Sequence, residues 1–278
     1  MKVPKRLIIL AATAAAVVLR APAADAPKPI RALYIAGGCC HDYAHQKDII
    51  KAGLEARANI VVDIIYSPDT STKPPLEIFG KPDYAKGYDV VIHHECAADI
   101  KDPAIIDAVI KPHRDDHIPG VNLHCAMHCY RFGDYGKPVA PGADNAHWYE
   151  YLGLQSIGHG PQEPIEITFT DNDHPITKGL NGWTTGKEEH YNNIQVFPSA
   201  HVLAHGKQTI KDKDGTEKTN DFVNVWTNDY HGTRVFSTTL MHNTPSIADA
   251  RYLDMVTRGV LWACDKLNDK YLKATPQP

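Results

Sequence analysis

The sequence predicts an α/β protein, with a doubly wound, mainly parallel sheet, helices on both faces and added β-strands in the C-terminal half. Three observations carry that prediction. Short apolar runs at residues 32–36, 60–66, 88–92 and 121–123 read as buried strands of the parallel type. Helical segments stand between them, at residues 43–57 and from Asp102 to about Arg114, and that alternation is the rhythm of a parallel sheet with helices on both sides. Beyond Gly133 the texture changes to alternating and charged stretches, which read as half-exposed strands joined by turns.

Residues 1–23 stand apart from that fold. Lys2, Lys5 and Arg6 precede an apolar run at 7–19, and Ala21, Pro22, Ala23 and Ala24 come next, which is the order of a secretory signal peptide. The run is short for a membrane span. The expected organisation is a signal peptide at 1–23, one domain at 24–270 and a disordered tail at 271–278, with a periplasmic or secreted mature protein. A chain of 278 residues, 43% hydrophobic, suits one large domain with its own core. Loss of residues 1–23 removes four positive charges and no negative ones, so the formal net charge moves from −4 to −8. An acidic mature protein argues against nucleic acid and anionic membrane as partners, and leaves small neutral or cationic substrates. No membrane association is expected beyond the leader.

Taken in order, the first strand (32–36) ends at Gly37-Gly38 and leads into Cys39, Cys40, His41 and Asp42 before the first helix. The glycine pair reads as a tight turn that lets backbone approach a ligand. It has no G-x-G-x-x-G pattern and no Walker lysine, so no nucleotide cofactor is expected. His41 and Asp42 are either a helix cap or site residues. The second strand (60–66) is followed by a proline-rich connection. The third (88–92) ends in His93, His94, Glu95 and Cys96, and Asp102 then caps a helix with Pro103 in its first turn.

The fourth strand lies in the stretch that organises the rest, residues 118–131, IPGVNLHCAMHCYR. An apolar segment turns abruptly into His124, Cys125, His128 and Cys129, as a buried strand turning into a helix would. His124 and His128 then stand four apart on one helical face. Such pairs are often mere neighbours, and a buried cysteine is often a small hydrophobe. The three strand ends together, 39–42, 93–96 and 124–129, line one edge of a doubly wound sheet, where ligands bind.

In the second half, residues 144–151 read as a short helix, Gly158-His159-Gly160 as a turn and 165–170 as a strand. Asp173, His174 and Pro175 shape a loop. Residues 186–193, GKEEHYNN, bridge to a strand at 195–204, and Asp214-Gly215 marks an exposed hairpin tip. Strands at 222–226 and 234–239 precede His242, and an amphipathic helix at 246–267 closes the chain. Of the six cysteines, all but Cys264 come just after predicted strands. One bridge among those five is plausible in an oxidising compartment, with its pairing open. The His, Glu and Cys types present suit a divalent metal, zinc first.

The blocks GGCCHDY, HHECAAD, GVNLHCAMHCYR, DNDHPITKGL, EEHYN, RVFSTTLMHN and GVLWACD, in this order from about Arg31 to Asp265, resemble the ThuA-like (trehalose-utilisation) family. The resemblance implies a flavodoxin-like sheet of the class I glutamine-amidotransferase type. In true amidotransferases a cysteine nucleophile comes after the strand, between glycines. Here the matching position is His124, and Cys125, one residue later, would point elsewhere. His41, His124, Glu189, Tyr191 and His242 match the family's motif positions. The resemblance implies a role in sugar utilisation on 3-keto-glycosides supplied by a sugar 3-dehydrogenase acting upstream.

That chemistry assigns provisional roles. His41, His124, Glu189 and His242 form a polar centre able to hold a divalent metal. His124, His128 and Tyr191 are the candidate catalytic groups, with His128 or Tyr191 handling the proton. Asp42, Glu95 and Trp148 are the candidate substrate contacts, Trp148 by stacking on a sugar ring unless it packs in the core. The expected protein is an exported lyase or hydrolase on a keto-sugar. The alternatives are a carbohydrate-binding protein without catalysis and a cysteine-dependent hydrolase.

Overall fold

Alternation of buried β-branched runs with capped helices builds the first half of the chain. The computed structural model describes residues 27–273. Strand β1 (Ile30–Gly38), helix α1 (Tyr43–Arg57), β2 (Ile60–Ser67), β3 (Val90–Cys96), α2 (Pro103–Arg114) and β4 (Gly120–Leu123) succeed one another in order. Asp102 starts α2 as its sequence suggests, its side chain accepting the Ala104 amide, with Pro103 in the first turn. The second half contains α3 (His147–Leu152), β5 (Leu154–Phe169), β6 (Trp183–Val196), β7 (Ala200–Lys211), β8 (Glu217–Tyr230), β9 (Thr233–Thr238), α4 (Thr244–Ile247) and α5 (Ala250–Ala263).

All nine strands form one sheet in the order β2-β1-β3-β4-β9-β8-β7-β5-β6. The first five of that order are parallel. With β9 as the fifth parallel strand, the order is that of flavodoxin-like sheets. From β9 outward every pairing is antiparallel, so the added C-terminal strands extend the same sheet. Buried side chains fill both faces. Ile50, Leu54, Leu253, Val256 and Val260 of α1 and α5 cover one face, and Ile106, Val109, Trp148 and Tyr151 of α2 and α3 cover the other.

Several boundaries differ from the sequence expectations, each for a physical reason. Strand β3 runs on through Cys96 because β1 pairs with it residue by residue, Gly38 opposite Cys96. Its polar cluster therefore alternates between the two faces instead of forming a loop. Gly37 and Gly38 belong to β1 itself, at φ of 135° and 103°. A Cβ on Gly38 would lie 2.2 Å from the Cys96 carbonyl oxygen, so glycine is required by close strand approach and not by a ligand. Residues 158–160 lie inside β5, where register shifts between Gln155 and Gln162 absorb the glycines. Strand β4 gives way to a single 3₁₀ turn, His124–His128, in place of the expected helix. The closing helix is two helices, because Asp249 caps a new start at Ala250.

The leader at 1–23 lies outside the described residues. Of the tail expected to be disordered, residues 271–273 are held to the domain: Leu272 bridges to Ala58, and the Tyr271 carbonyl accepts the Asn59 amide at 2.7 Å. The remainder, 274–278, also lies outside the described residues. Among the described residues no helix is long and apolar enough to cross a membrane.

Candidate active site at the carboxyl ends of the strands

Three histidines reach one point from three parallel strands. His41 lies just beyond β1, His124 beyond β4 and His242 beyond β9. Each sits at or beside strained backbone. His124 itself has φ of 45°, while Cys40 before His41 has φ of 79° and Met241 before His242 has φ of 78°. Left-handed conformations in non-glycine residues cluster where surrounding structure forces a side chain into a site. His124 thus occupies a sharp strand-to-helix elbow that presents its side chain above the sheet edge.

The three rings lie close, with centroids 4.8 Å apart for His41 and His124, 4.5 Å for His41 and His242, and 5.5 Å for His124 and His242. One ligand nitrogen from each lies within 4.8 Å of the other two. His124 Nδ1 donates to the Thr239 carbonyl at 2.7 Å, which leaves Nε2 free to face the centre. His41 Nδ1, His124 Nε2 and His242 Nδ1 are all buried; the first has no partner and the other two meet only the Glu189 carboxylate, at 3.4 and 3.2 Å. Buried polar atoms are rarely left so, and three converging ones form a site for a ligand.

Glu189 on β6 supplies the charge. Its carboxylate is 3.4 Å from His124 Nε2, 3.2 Å from His242 Nδ1 and 3.5 Å from His159 Nε2. Burial alone would raise its pKa, but hydrogen bonding and attraction from His124 and His242 hold it well below the usual carboxylate range. His41 is pushed far down by burial and by its histidine neighbours, so it is a neutral imidazole. Burial lowers His242, but Glu189 more than offsets this and its pKa is raised. Neighbouring Glu188 is fully buried, and its carboxylate accepts the backbone amide of His242 at 2.5 Å. Gln46 of α1 donates to the His242 carbonyl at 2.9 Å, so the loop is pinned from both sides.

The structure brings together His41, His124, Glu189 and His242, and Tyr191 packs against them, its ring 4.7 Å from His124. His128 is stacked on the far side of Tyr191 at 4.1 Å, and its Nε2 is 2.9 Å from Ser156 Oγ. On the 3₁₀ turn it does not share a face with His124. Asp42 is exposed at the rim, bonded to His45 at 2.8 Å and to Thr244 at 3.3 Å. The adjoining opening, about 420 Å³, is lined by His41, Asp42, Gln46, His242, Asn243 and Thr244 among others.

Glu95 and Trp148 are not at this mouth. Glu95 has no exposure; it meets His93 Nδ1 at 2.9 Å and accepts the Tyr130 hydroxyl at 2.7 Å, inside the α2–α3 layer. Trp148 is 2% exposed, donates to the Ala126 carbonyl and packs on Tyr130 at 4.6 Å, so it is a core side chain. Sequence reasoning missed His159, whose side chain is 42% exposed at the entrance beside Glu189. Its setting between two glycines is the available signal, but that pattern in a sequence reads as a turn. Cys125 is bonded to Cys96, with both sulfurs within 4.8 Å of a His41 ring nitrogen, so the elbow presents no free thiol. A larger cavity of about 720 Å³ lies at the opposite, amino-terminal ends of the strands, lined by residues such as Lys28, Arg31 and Arg234. It has no comparable convergence of unpartnered atoms, and parallel sheets bind ligands at the carboxyl ends.

Comparison with known proteins agrees with the fold. The family model for ThuA, trehalose utilisation, matches residues 41–263, and the chain belongs to that family. A ThuA-like protein from Parabacteroides merdae superposes with a TM-score of 0.61 at 20% identity, covering 85% of this chain and 90% of that one. A second, from Bacteroides uniformis, gives 0.56 at 17% identity over 87% and 94%. A cytoplasmic protein from Salmonella typhimurium gives 0.51 at 13% identity over 86% and 98%. These identities speak to fold alone. Among curated proteins none matches the sequence.

Proposed function

We propose that the protein is an exported enzyme of sugar utilisation that cleaves a 3-keto-glycoside at the histidine centre. The observation that carries this reading is the convergence of three buried imidazole nitrogens, two of which face the Glu189 carboxylate. Three imidazoles and a carboxylate are a zinc-type donor set, and His41, His124, His242 and Glu189 would hold such an ion. When bound, a divalent ion supplies Lewis-acid polarisation of a carbonyl oxygen.

The chain's own groups account for the proton traffic. A ketone at C3 acidifies the hydrogen on C2. His159, at the entrance, takes that proton, and the electrons move onto the C3 oxygen as an enolate. Collapse of the enolate forms the C1–C2 double bond and breaks the bond from C1 to the aglycone oxygen. Burial raises the Tyr191 phenol well above its ordinary value and keeps it protonated, so it serves as donor to the departing oxygen. His128, stacked on Tyr191, positions that ring and does not touch substrate. Asp42 and Asn243 on the rim contact sugar hydroxyls. Water added to the resulting enone would complete a net hydrolysis.

The test is turnover of a 3-keto-glucoside followed by proton NMR, with His124→Ala and His159→Ala compared with the parent. Each variant is expected to lose on the order of 10²-fold or more in rate while retaining sugar binding. Full activity in both variants, or no turnover by the parent on several keto-glycosides, would overturn the reading.

A further inference from the structure

Beside the histidine centre lies a chain of four sulfur atoms that the chemistry above does not use. Cys39 and Cys40 are bonded to each other, and so are Cys96 and Cys125. The two bridges touch: Cys39 Sγ lies 3.5 Å from Cys96 Sγ, which is van der Waals contact between sulfurs. The chain is graded in depth. Cys40 is exposed and Cys39 half-buried, while Cys96 and Cys125 are 3% and 4% exposed. The inner pair is therefore closed to any bulky reagent, and the outer pair is open to one.

We propose that Cys39–Cys40 is a thiol–disulfide exchange site for an external protein dithiol, and that it relays reduction to the buried Cys96–Cys125 bridge. The dithiol first reduces Cys39–Cys40 and is itself oxidised to a disulfide. Cys39 thiolate then attacks Cys96 Sγ; a Cys39–Cys96 bond forms, the Cys96–Cys125 bond breaks, and Cys125 leaves as a thiolate. Cys40 thiolate next attacks the Cys39 sulfur of that mixed disulfide. This restores Cys39–Cys40 and releases Cys96. The net change is one dithiol oxidised and one buried disulfide reduced, and the two protons lost by the dithiol end on Cys96 and Cys125.

The relay acts next to the histidine centre. Cys96–Cys125 ties the end of β3 to the turn whose first residue is His124, and Cys40 precedes His41. Reduction of the inner bridge releases the tether on the His124 elbow. The exchange chemistry itself stands whether or not the histidine centre is catalytic.

Cys40→Ser tests the proposal directly, because it leaves Cys39 without its partner and traps the intermediate. Acid quenching, alkylation and peptide mapping of the folded variant should reveal a Cys39–Cys96 linkage with Cys125 free. In the parent protein, a thioredoxin-sized dithiol should open Cys96–Cys125. In Cys39→Ser that opening should be slower by about tenfold or more, since no thiolate stands against Cys96. A Cys40→Ser protein that keeps Cys96–Cys125 bonded and Cys39 free would overturn the relay. So would an equal opening rate in the parent and Cys39→Ser proteins. Circular dichroism of both variants separates these results from misfolding.

Discussion

Two neighbouring pairs of residues show how sharply one position changes a role. On β6, Glu188 is buried and grips the backbone of His242, while Glu189 faces the histidine nitrogens. On β3, His93 and Glu95 point into the α2–α3 layer, and His94, between them, points the other way to Tyr34 at 2.5 Å. His113 Nδ1 donates to the Ile118 carbonyl, so its Nε2 must accept from His93 Nε2 at 3.2 Å. Glu95, which meets both His93 Nδ1 and the Tyr130 hydroxyl, is thus the shared partner of a fully buried polar network. Removing that shared partner leaves buried polar groups unsatisfied, so Glu95→Ala is expected to lower stability by about 1–3 kcal/mol. Urea unfolding measures it, and a loss below about 0.5 kcal/mol would contradict a structural role for the network. The motif HHEC was legible as a polar strand end. That its alternate members face opposite layers was not, because the strand's extent depends on its pairing with β1.

At the scale of elements, the short helix α3 depends on a distant strand. Asn228 of β8 donates to the Glu150 and Tyr151 carbonyls at 2.8 and 3.0 Å, and Trp226 donates to the Leu152 carbonyl at 2.7 Å. The helix's last carbonyls are thus satisfied from outside, as a six-residue helix requires. Gly153 ends it at φ of 78°, and a Cβ there would meet Asn228 Cγ at 2.6 Å. Gly153→Ala is therefore expected to cost about 1–3 kcal/mol, from left-handed strain and displacement of Asn228. A thermal melt unchanged from the parent would contradict that. The parallel strands, α1 and α2 were legible because apolar runs and caps are local signals. The 3₁₀ turn after β4 and the long, bulged β5 were not. Their geometry is imposed by packing, by Tyr191 beneath His128 and by the β6 ladder, and neither leaves a periodic trace.

For the whole molecule, buried histidines set the response to acid. Burial pushes His94 and His113 down to about 3, each also repelled by a histidine neighbour. Both stay neutral in the folded protein at pH values where the unfolded chain, at the ordinary value of 6.5, takes up protons. Their stabilising contribution is complete above about pH 6.5 and is lost as pH falls from there toward about 3. The slope is up to about 1.4 kcal/mol per pH unit for each group. Unfolding free energy is expected to decline from about pH 6 downward, before carboxylates in the unfolded chain begin to protonate. A plateau from about pH 7 to about pH 4.5 would contradict this. The same architecture, five parallel strands meeting an antiparallel extension, is what sets Glu189 of β6 against the histidines that follow β4 and β9. The sequence showed these as separate polar clusters. The family resemblance groups His41, His124, Glu189 and His242, and the sheet order is the physical reason that they meet.

Proton NMR of a 3-keto-glucoside with the protein, before and after chelation, paired with metal titration of the His41→Ala and His242→Ala variants, bears most directly on the histidine centre. Turnover is expected to stop on chelation and to return with zinc or another divalent ion, and the variants to bind the ion at least about tenfold more weakly. Turnover indifferent to the chelator, with the same metal affinity in parent and variants, would contradict this.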